Sequence, residues 1–234
     1  MKFLIDSKIF EIFPHLVMGV VIAKGINNEG PAEDVQEEIR VEEARIRGEL
    51  NPETLAADPK IDVWRKAYQA FGAKPKEHRS SVENLYRLVL KGIDLRPINK
   101  LVDLYNLISL RHRVPVGGED LDKINGDLEL TFGGPNETPI LLLGDKEPRP
   151  PHEGEVIYKD DLGTICRRWN WREADRTKLT EKTQNAILVI EGLPPVSRKE
   201  IENATTELQK LIEKNCGSTT TINILDKSLP QIEF

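Results

Sequence analysis

Seven consecutive residues, RRWNWRE from Arg167 to Glu173, bring three arginines and two tryptophans together in a chain whose formal net charge is -6. Guanidinium groups clamp carboxylate or phosphate oxygens through paired hydrogen bonds, and indole rings stack on flat partners. The stretch is therefore either a strand with an aromatic side in the core and a charged side in water, or a grip for something flat and anionic. Nucleic acid is the commonest ligand of that kind. Read as a strand, it turns Arg167 and Arg168 to opposite faces, so that one of them faces a pocket and binds substrate. Trp169 and Trp171 then share a face, with Trp169 assigned to the core and Trp171 to a pocket wall. Cys166 stands beside two arginines that would lower its pKa, which keeps it as a minor alternative nucleophile. Gly117 and Gly118 would let the backbone approach a ligand, although a turn needing positive φ accounts for them equally well. His112 and His152 have no partner at readable spacing and read as surface residues.

From Arg167 to Lys182 six basic residues meet three acidic ones, so the sign of the charge reverses locally. The acidity of the whole argues against sequence-independent coating of nucleic acid, which needs many phosphate-neutralising cations. With 31% charged and 38% apolar residues the composition is that of a globular chain, and 234 residues suffice for a single domain, 1–234, with a sizeable core. Cys166 and Cys216 are the only cysteines; they give neither a disulfide framework nor zinc-ligand spacing, so no metal and no cofactor is expected. The run HLVMGVVIA is too short to span a bilayer, and the acidic residues before it do not suit a signal peptide. No membrane association and a cytoplasmic location are the expectation.

The elements that must carry these residues follow from periodicity. Leu16 to Lys24 is β-branched and apolar, a buried strand. PAEDVQEEIRVEEARIRGEL is a surface helix, acidic at its start and basic towards its end. Three further helices are expected in DPKIDVWRKAYQAFG, in SSVENLYRLVLKG, and after Pro97 with Ile98, Leu101, Val102, Tyr105 and Ile108 on one face. From Pro115 short strands alternate with Gly, Pro and Asn turns, and KEPRPPHEG reads as a loop. Strands through TICRRWNW and NAILVIEGL precede a helix in SRKEIENATTELQKLIEKNCG, and TTTINILD closes the chain as a strand. The fold class is α+β, with a strand-rich, sandwich-like middle packed by helices from both ends.

Three ordered stretches carry more than periodicity: GIDLRPINKLVDLYNLISLRHRVPVGGEDLDKINGDLEL, then GEVIYKDDLGTICRRWNW, then TEKTQNAILVIEG. The RPIN-x-x-VD-x-x-N pattern of Arg96 to Asn106, the Asp120, Lys123 and Gly126 step, and Thr183 to Asn185 leading into an apolar strand resemble the B3/B4 domain of the phenylalanyl-tRNA synthetase beta subunit. The resemblance covers roughly residues 74–193 and presents the domain in standalone form. It implies an editing site: that domain hydrolyses the ester joining a wrong amino acid to tRNA, and freestanding relatives look like editors acting in trans on aminoacylated tRNA. Such editors are needed because a missing methylene discriminates by only ~1–3 kcal/mol.

The resemblance also implies roles for individual residues. Asn106 matches a family position and could hold the substrate carbonyl or a water. Asn170 could complete an amide pair with it. The editing carboxylate follows the T-x-N motif; strict counting from Thr183 lands on Val189, and Glu191, two residues on and on the same strand face, is the catalytic candidate. Asp103 reads as structural. The chain departs from the family where a His is replaced by Gly117, and where a glycine-rich turn is replaced by CRRWNW, so its ligand should differ from tyrosine or phenylalanine. Three readings stay open: a trans-acting aminoacyl-tRNA deacylase working through Asn106, Asn170 and Glu191; a tRNA- or amino-acid-binding module without chemistry; and a hydrolase of small amino-acid esters.

Overall fold

The computed structural model describes residues 1–234. In chain order its elements are β1 (Lys2–Ile5), α1 (Ser7–Ile12), β2 (Val17–Lys24), α2 (Glu33–Glu49), α3 (Pro59–Ala70), α4 (Ser81–Leu90), α5 (Lys100–His112), β3 (Val116–Asp120), β4 (Leu128–Phe132), β5 (Val156–Asp160), β6 (Gly163–Arg167), β7 (Arg172–Glu173), β8 (Asn185–Gly192), α6 (Arg198–Cys216), β9 (Thr219–Leu225) and β10 (Gln231–Glu233). The strands form two sheets, β10-β1-β4-β5-β6-β7 and β3-β8-β2-β9. All pairs are antiparallel except β1 with β4. The class is α+β.

The helices begin where the capping residues say they should. Asp58 accepts from the Lys60 amide, Ser80 from that of Glu83 and Asn99 from that of Val102, and Ser197 with Glu200 closes a capping box at the start of α6. Asn99 is itself held: the buried Asn28 amide donates to it at 3.1 Å and accepts from the Leu101 amide at 2.8 Å. Asp103 receives Gln36 Nε2 at 2.7 Å and the Ile98 amide at 3.1 Å, so this motif residue fixes the first turn of α5. Thr183 donates to Asp120 at 2.7 Å, tying together two of the stretches that carry the family resemblance.

One continuous hydrophobic cluster runs from Phe3 to Ile232 through both sheets. Helix α6 lies on β2 so closely that a Cβ on Gly19 would stand 1.8 Å from the Thr205 hydroxyl, so only glycine fits there. Helix α5 packs between α2 and α6 and reaches β3. No helix is long and apolar enough to cross a membrane.

Three expectations are corrected. The chain opens with β1, not with the strand at residues 17–24, and closes with β10, not β9. Both strands are very short, too short to show a period, and they pair with each other at the edge of the larger sheet. The strand expected through TICRRWNW stops at Arg167, because Arg168 (φ 48°) and Trp169 (φ 65°) adopt left-handed backbone and turn the chain into β7. Side-chain alternation therefore does not apply from Arg168 to Trp171.

Candidate active site

A cavity of about 320 Å³ opens where the two sheets meet beneath α4 and α5. Tyr158 and Cys166 of the larger sheet face Gly117 and Val189 of the smaller one, α5 presents Tyr105 and Asn106, and the turn after β6 presents Asn170 and Trp171. The turn is anchored by hydrogen bonds from the Trp169 amide to the Val156 carbonyl at 2.6 Å and from the Ser81 amide to the Asn170 carbonyl at 3.0 Å. The indole of Trp169 is fully buried. It meets Trp64 edge-on at 5.1 Å and Phe13 at 4.8 Å. The element bearing Asn106 and the tryptophan-rich turn thus face each other across open space.

Glu191 closes the cavity floor and is 2% exposed. Tyr158 donates to its Oε1, and Asn170 Nδ2 donates to its Oε2. The Asn170 amide is oriented by Tyr68, whose hydroxyl donates to Oδ1 at 2.9 Å. Burial disfavours the charged carboxylate and pushes its pKa up to about 7, against the opposing pull of the Tyr158 and Asn170 hydrogen bonds. The Trp169 indole N–H pulls in the same direction although it closes no hydrogen bond of normal geometry. A carboxyl balanced near neutral pH can take a proton from water and return it, which is what a general base and acid must do. Asn106 lines the same cavity and its amide is spent on no other side chain. It can hold a carbonyl oxygen or a water there.

The other sequence-derived residues divide. Asn170, expected as half of an amide pair with Asn106, is committed at both ends to Tyr68 and Glu191, so it positions the carboxylate. Gly117 faces the cavity, and a Cβ there would meet nothing within 4 Å. A Cβ on Gly118 would point the other way, 3.0 Å from the Ile187 carbonyl, so glycine serves packing there while its backbone still lines the cavity; neither glycine has positive φ. Trp171 is a cavity wall, capped by the Arg168 guanidinium 4.5 Å above its ring.

Arg167 and Arg168 do not enter the cavity. Arg167 is buried and forms a two-pronged pair with Glu155 at 2.8 and 2.9 Å. Arg168 lines a separate groove behind Trp171, together with His78, Lys146, Arg149 and Arg172. Although only 6% exposed, it has a buried Nη1 without a partner, and Glu155, already held by Arg167, lies 3.9 Å from its Nε. Burial, with the neighbouring Arg167 adding to it, pulls the Arg168 pKa below the usual guanidinium range despite Glu155. Cys166 is corrected as well: burial, then Glu119, Glu173 and Glu191, push its thiol well up, the reverse of what two sequence-adjacent arginines suggest. That leaves it a poor nucleophile. His112 pairs with Glu207 at 2.7 Å away from the cavity, and His152 is exposed.

Sequence reasoning missed Glu119 and Glu173, which also line the cavity. Alternation along VGGED sets Glu119 on the face of Gly117, and that signal was readable. Burial pushes Glu173 up to about 7 against Lys178, and burial followed by the nearby Glu173 charge lifts Glu119 well above the carboxylate range. A carboxyl with a raised pKa binds its proton more tightly folded than unfolded, so its contribution to stability is lost as pH rises from the unfolded value through the folded one. Glu173→Gln is therefore expected to gain on the order of 2 kcal/mol at pH 8 and nothing at pH 4. Urea unfolding at both pH values checks this. No group of three or more His, Cys, Asp or Glu side chains converges as metal ligands would.

Comparison with known proteins places the chain among others. The family model described as B3/4 domain matches residues 63–229. The chain is similar to phenylalanine–tRNA ligase beta subunits: 36% identical over 73 residues to that of Mycoplasma pneumoniae, covering 31% of this chain and 9% of that protein. The corresponding values are 33% over 99 residues, 42% and 12%, for Ruegeria pomeroyi, and 31% over 111 residues, 47% and 12%, for Leifsonia xyli. The matches thus span about a tenth of those relatives' length. An N-terminal fragment of the phenylalanyl-tRNA synthetase beta subunit from Pyrococcus horikoshii aligns over 93% of this chain and 49% of its own, with a TM-score of 0.49 and 13% identity.

Proposed function

The chain belongs to the B3/4 domain family, and from that premise we propose that it hydrolyses the ester of mischarged aminoacyl-tRNA in trans. The observation that carries the proposal is Glu191, enclosed at the floor of a cavity, where burial raises its pKa to about 7 against the pull of two donors. In the proposed reaction Glu191 takes a proton from a water, the oxygen of that water attacks the ester carbonyl, and the developing oxyanion is met by the Asn106 amide. Collapse of the tetrahedral species breaks the bond to the ribose oxygen, which takes the proton back from Glu191. The products are free amino acid and a tRNA ending in a free hydroxyl. An aminoacyl ester is already activated, so positioning a water and stabilising charge suffice and no covalent nucleophile is required.

The groove beside Trp171 supports a nucleic-acid partner. Five basic side chains line it against two acidic ones, and Arg168 supplies a desolvated cation without a counter-ion of its own. A phosphodiester of the acceptor end, lying there while the acyl group enters the cavity past Trp171, would supply a counter-charge beside it. Arg168→Gln is expected to weaken tRNA binding about tenfold and to flatten the dependence of log Kd on log salt by about one phosphate contact. Equal slopes for the two proteins would remove Arg168 from the tRNA path.

The direct test is a panel of mischarged tRNAs incubated with the purified protein. Ester loss above the buffer rate for at least one of them is expected, and no clearance of any would end the proposal. A second reading, a tRNA-binding module without chemistry, is favoured by the open space where Gly117 stands in place of the family's His. Saturable tRNA binding with no ester loss would decide for it.

A further inference from the structure

The cavity carries two acidic side chains that the proposed hydrolysis does not use. Glu119 and Glu173 line it in addition to Glu191, and the cations that could neutralise them are bound elsewhere. Arg172 pairs with Asp145 at 2.9 Å, Arg176 holds Asp160, and Lys178 holds Asp175 at 2.7 Å. Oε2 of Glu119 is buried and closes no hydrogen bond of normal geometry, although the Thr177 hydroxyl is near enough to favour the charged carboxylate. Burial tilts both carboxyls towards the protonated form, and a positively charged group between them would take the place of that proton.

Resting on the deacylase reading, we propose that Glu119 and Glu173 form the specificity subsite of this cavity and receive the cationic end of a long amino-acid side chain, an ammonium or guanidinium, on the acyl group. Register decides between that cation and the α-ammonium every aminoacyl ester carries. Glu119 stands opposite Ile187 on β8, and Glu191 lies four residues further along the same strand face. At ~3.4 Å per residue their backbones are ~13 Å apart along the strand, a gap that the two glutamate side chains shorten only in part. An α-ammonium is two bonds from the carbonyl that Glu191 serves and would sit at Glu191. A terminal ammonium six bonds away reaches towards Glu119. Between them Val189 offers apolar surface to an aliphatic stem, and Tyr105 and Leu85 line the same cavity.

Calorimetric titration of the full chain with lysinamide and with norleucinamide tests the subsite. Both carry the α-ammonium and an unbranched stem, and only the first has a terminal cation. Neither is an ester, so the readout is independent of ester hydrolysis. Lysinamide is expected to bind at least about tenfold more tightly, with the ratio falling towards one in Glu119→Gln and in Glu173→Gln. Equal affinities in the parent protein, or a preference that survives both substitutions, would overturn the proposal. So would equal affinities that both drop in the two variants, since the carboxylates would then hold the α-ammonium. A lysinamide preference in a protein that clears no mischarged tRNA would keep the subsite and remove the hydrolase; clearance indifferent to a side-chain cation would do the reverse.

Discussion

Glu191→Gln is expected to lower kcat on a mischarged tRNA by about 10²–10⁴-fold, the usual contribution of a general base. The amide cannot accept the water's proton. One of its two positions would also present an N–H to a group that already donates, Tyr158 on one side or Asn170 on the other. In the parent protein the base works only when ionised, so kcat/KM rises with pH by about tenfold per unit below about 7 and levels off above it. That limb should vanish in Glu191→Gln. Asn170→Ala separates a positioning role from a structural one. It removes a donor that favours the carboxylate, so the inflection should move upward while some rate survives above it. A pH profile unchanged in Glu191→Gln would take Glu191 out of the reaction, and one unchanged in Asn170→Ala would remove the positioning role of Asn170.

The structural reason this carboxylate can serve as a base was only partly legible in the sequence. Alternation along NAILVIEGL puts Ile187, Val189 and Glu191 on one face, and all three line the cavity. Strict counting from Thr183 reaches Val189. A count along one strand does not see that Tyr158 and Asn170, from another sheet and from a turn, converge two residues further on. The capped helices were legible because an N-cap is a local event. The four-residue β1 and the three-residue β10 were not, since they exist by pairing with distant segments. RRWNWRE was misread for the same reason. Its composition suits a strand, and what bends it is the packing of one indole against Trp64 and Phe13, more than 100 residues away. The cation-hungry pair Glu119 and Glu173 comes from separate sheets, so only the fold could join them. The arginines expected to line the cavity lie outside it, Arg167 locked to Glu155 and Arg168 behind Trp171, and the carboxylates took the cavity.

Trp169→Ala should produce the largest loss of stability of any single change around the site, about 3–5 kcal/mol. Its indole is completely buried, and the space left behind is bounded by Trp64 and Phe13, two large rings that cannot collapse into it. The backbone offsets part of that loss and decides how the turn responds. Arg168 and Trp169 both hold left-handed conformations, each of which costs roughly 1–2 kcal/mol for a residue with a Cβ. The seated indole is what keeps them there. Once it is removed the turn can relax, Asn170 leaves Glu191, and Trp171 leaves the cavity wall. Thermal unfolding should fall by about 10 °C or more for a chain of this length. Trp169→Phe, which keeps an aromatic ring against Trp64, should lose less than half as much and retain the pH inflection near 7. Arg168→Gly provides the control for backbone strain: glycine accepts the left-handed conformation, so the turn should stay folded while the groove loses its cation. A Trp169→Ala protein within about 1 kcal/mol of the parent would mean that β6 and β7, not the indole, hold the turn. The geometry around Glu191 would then need another anchor.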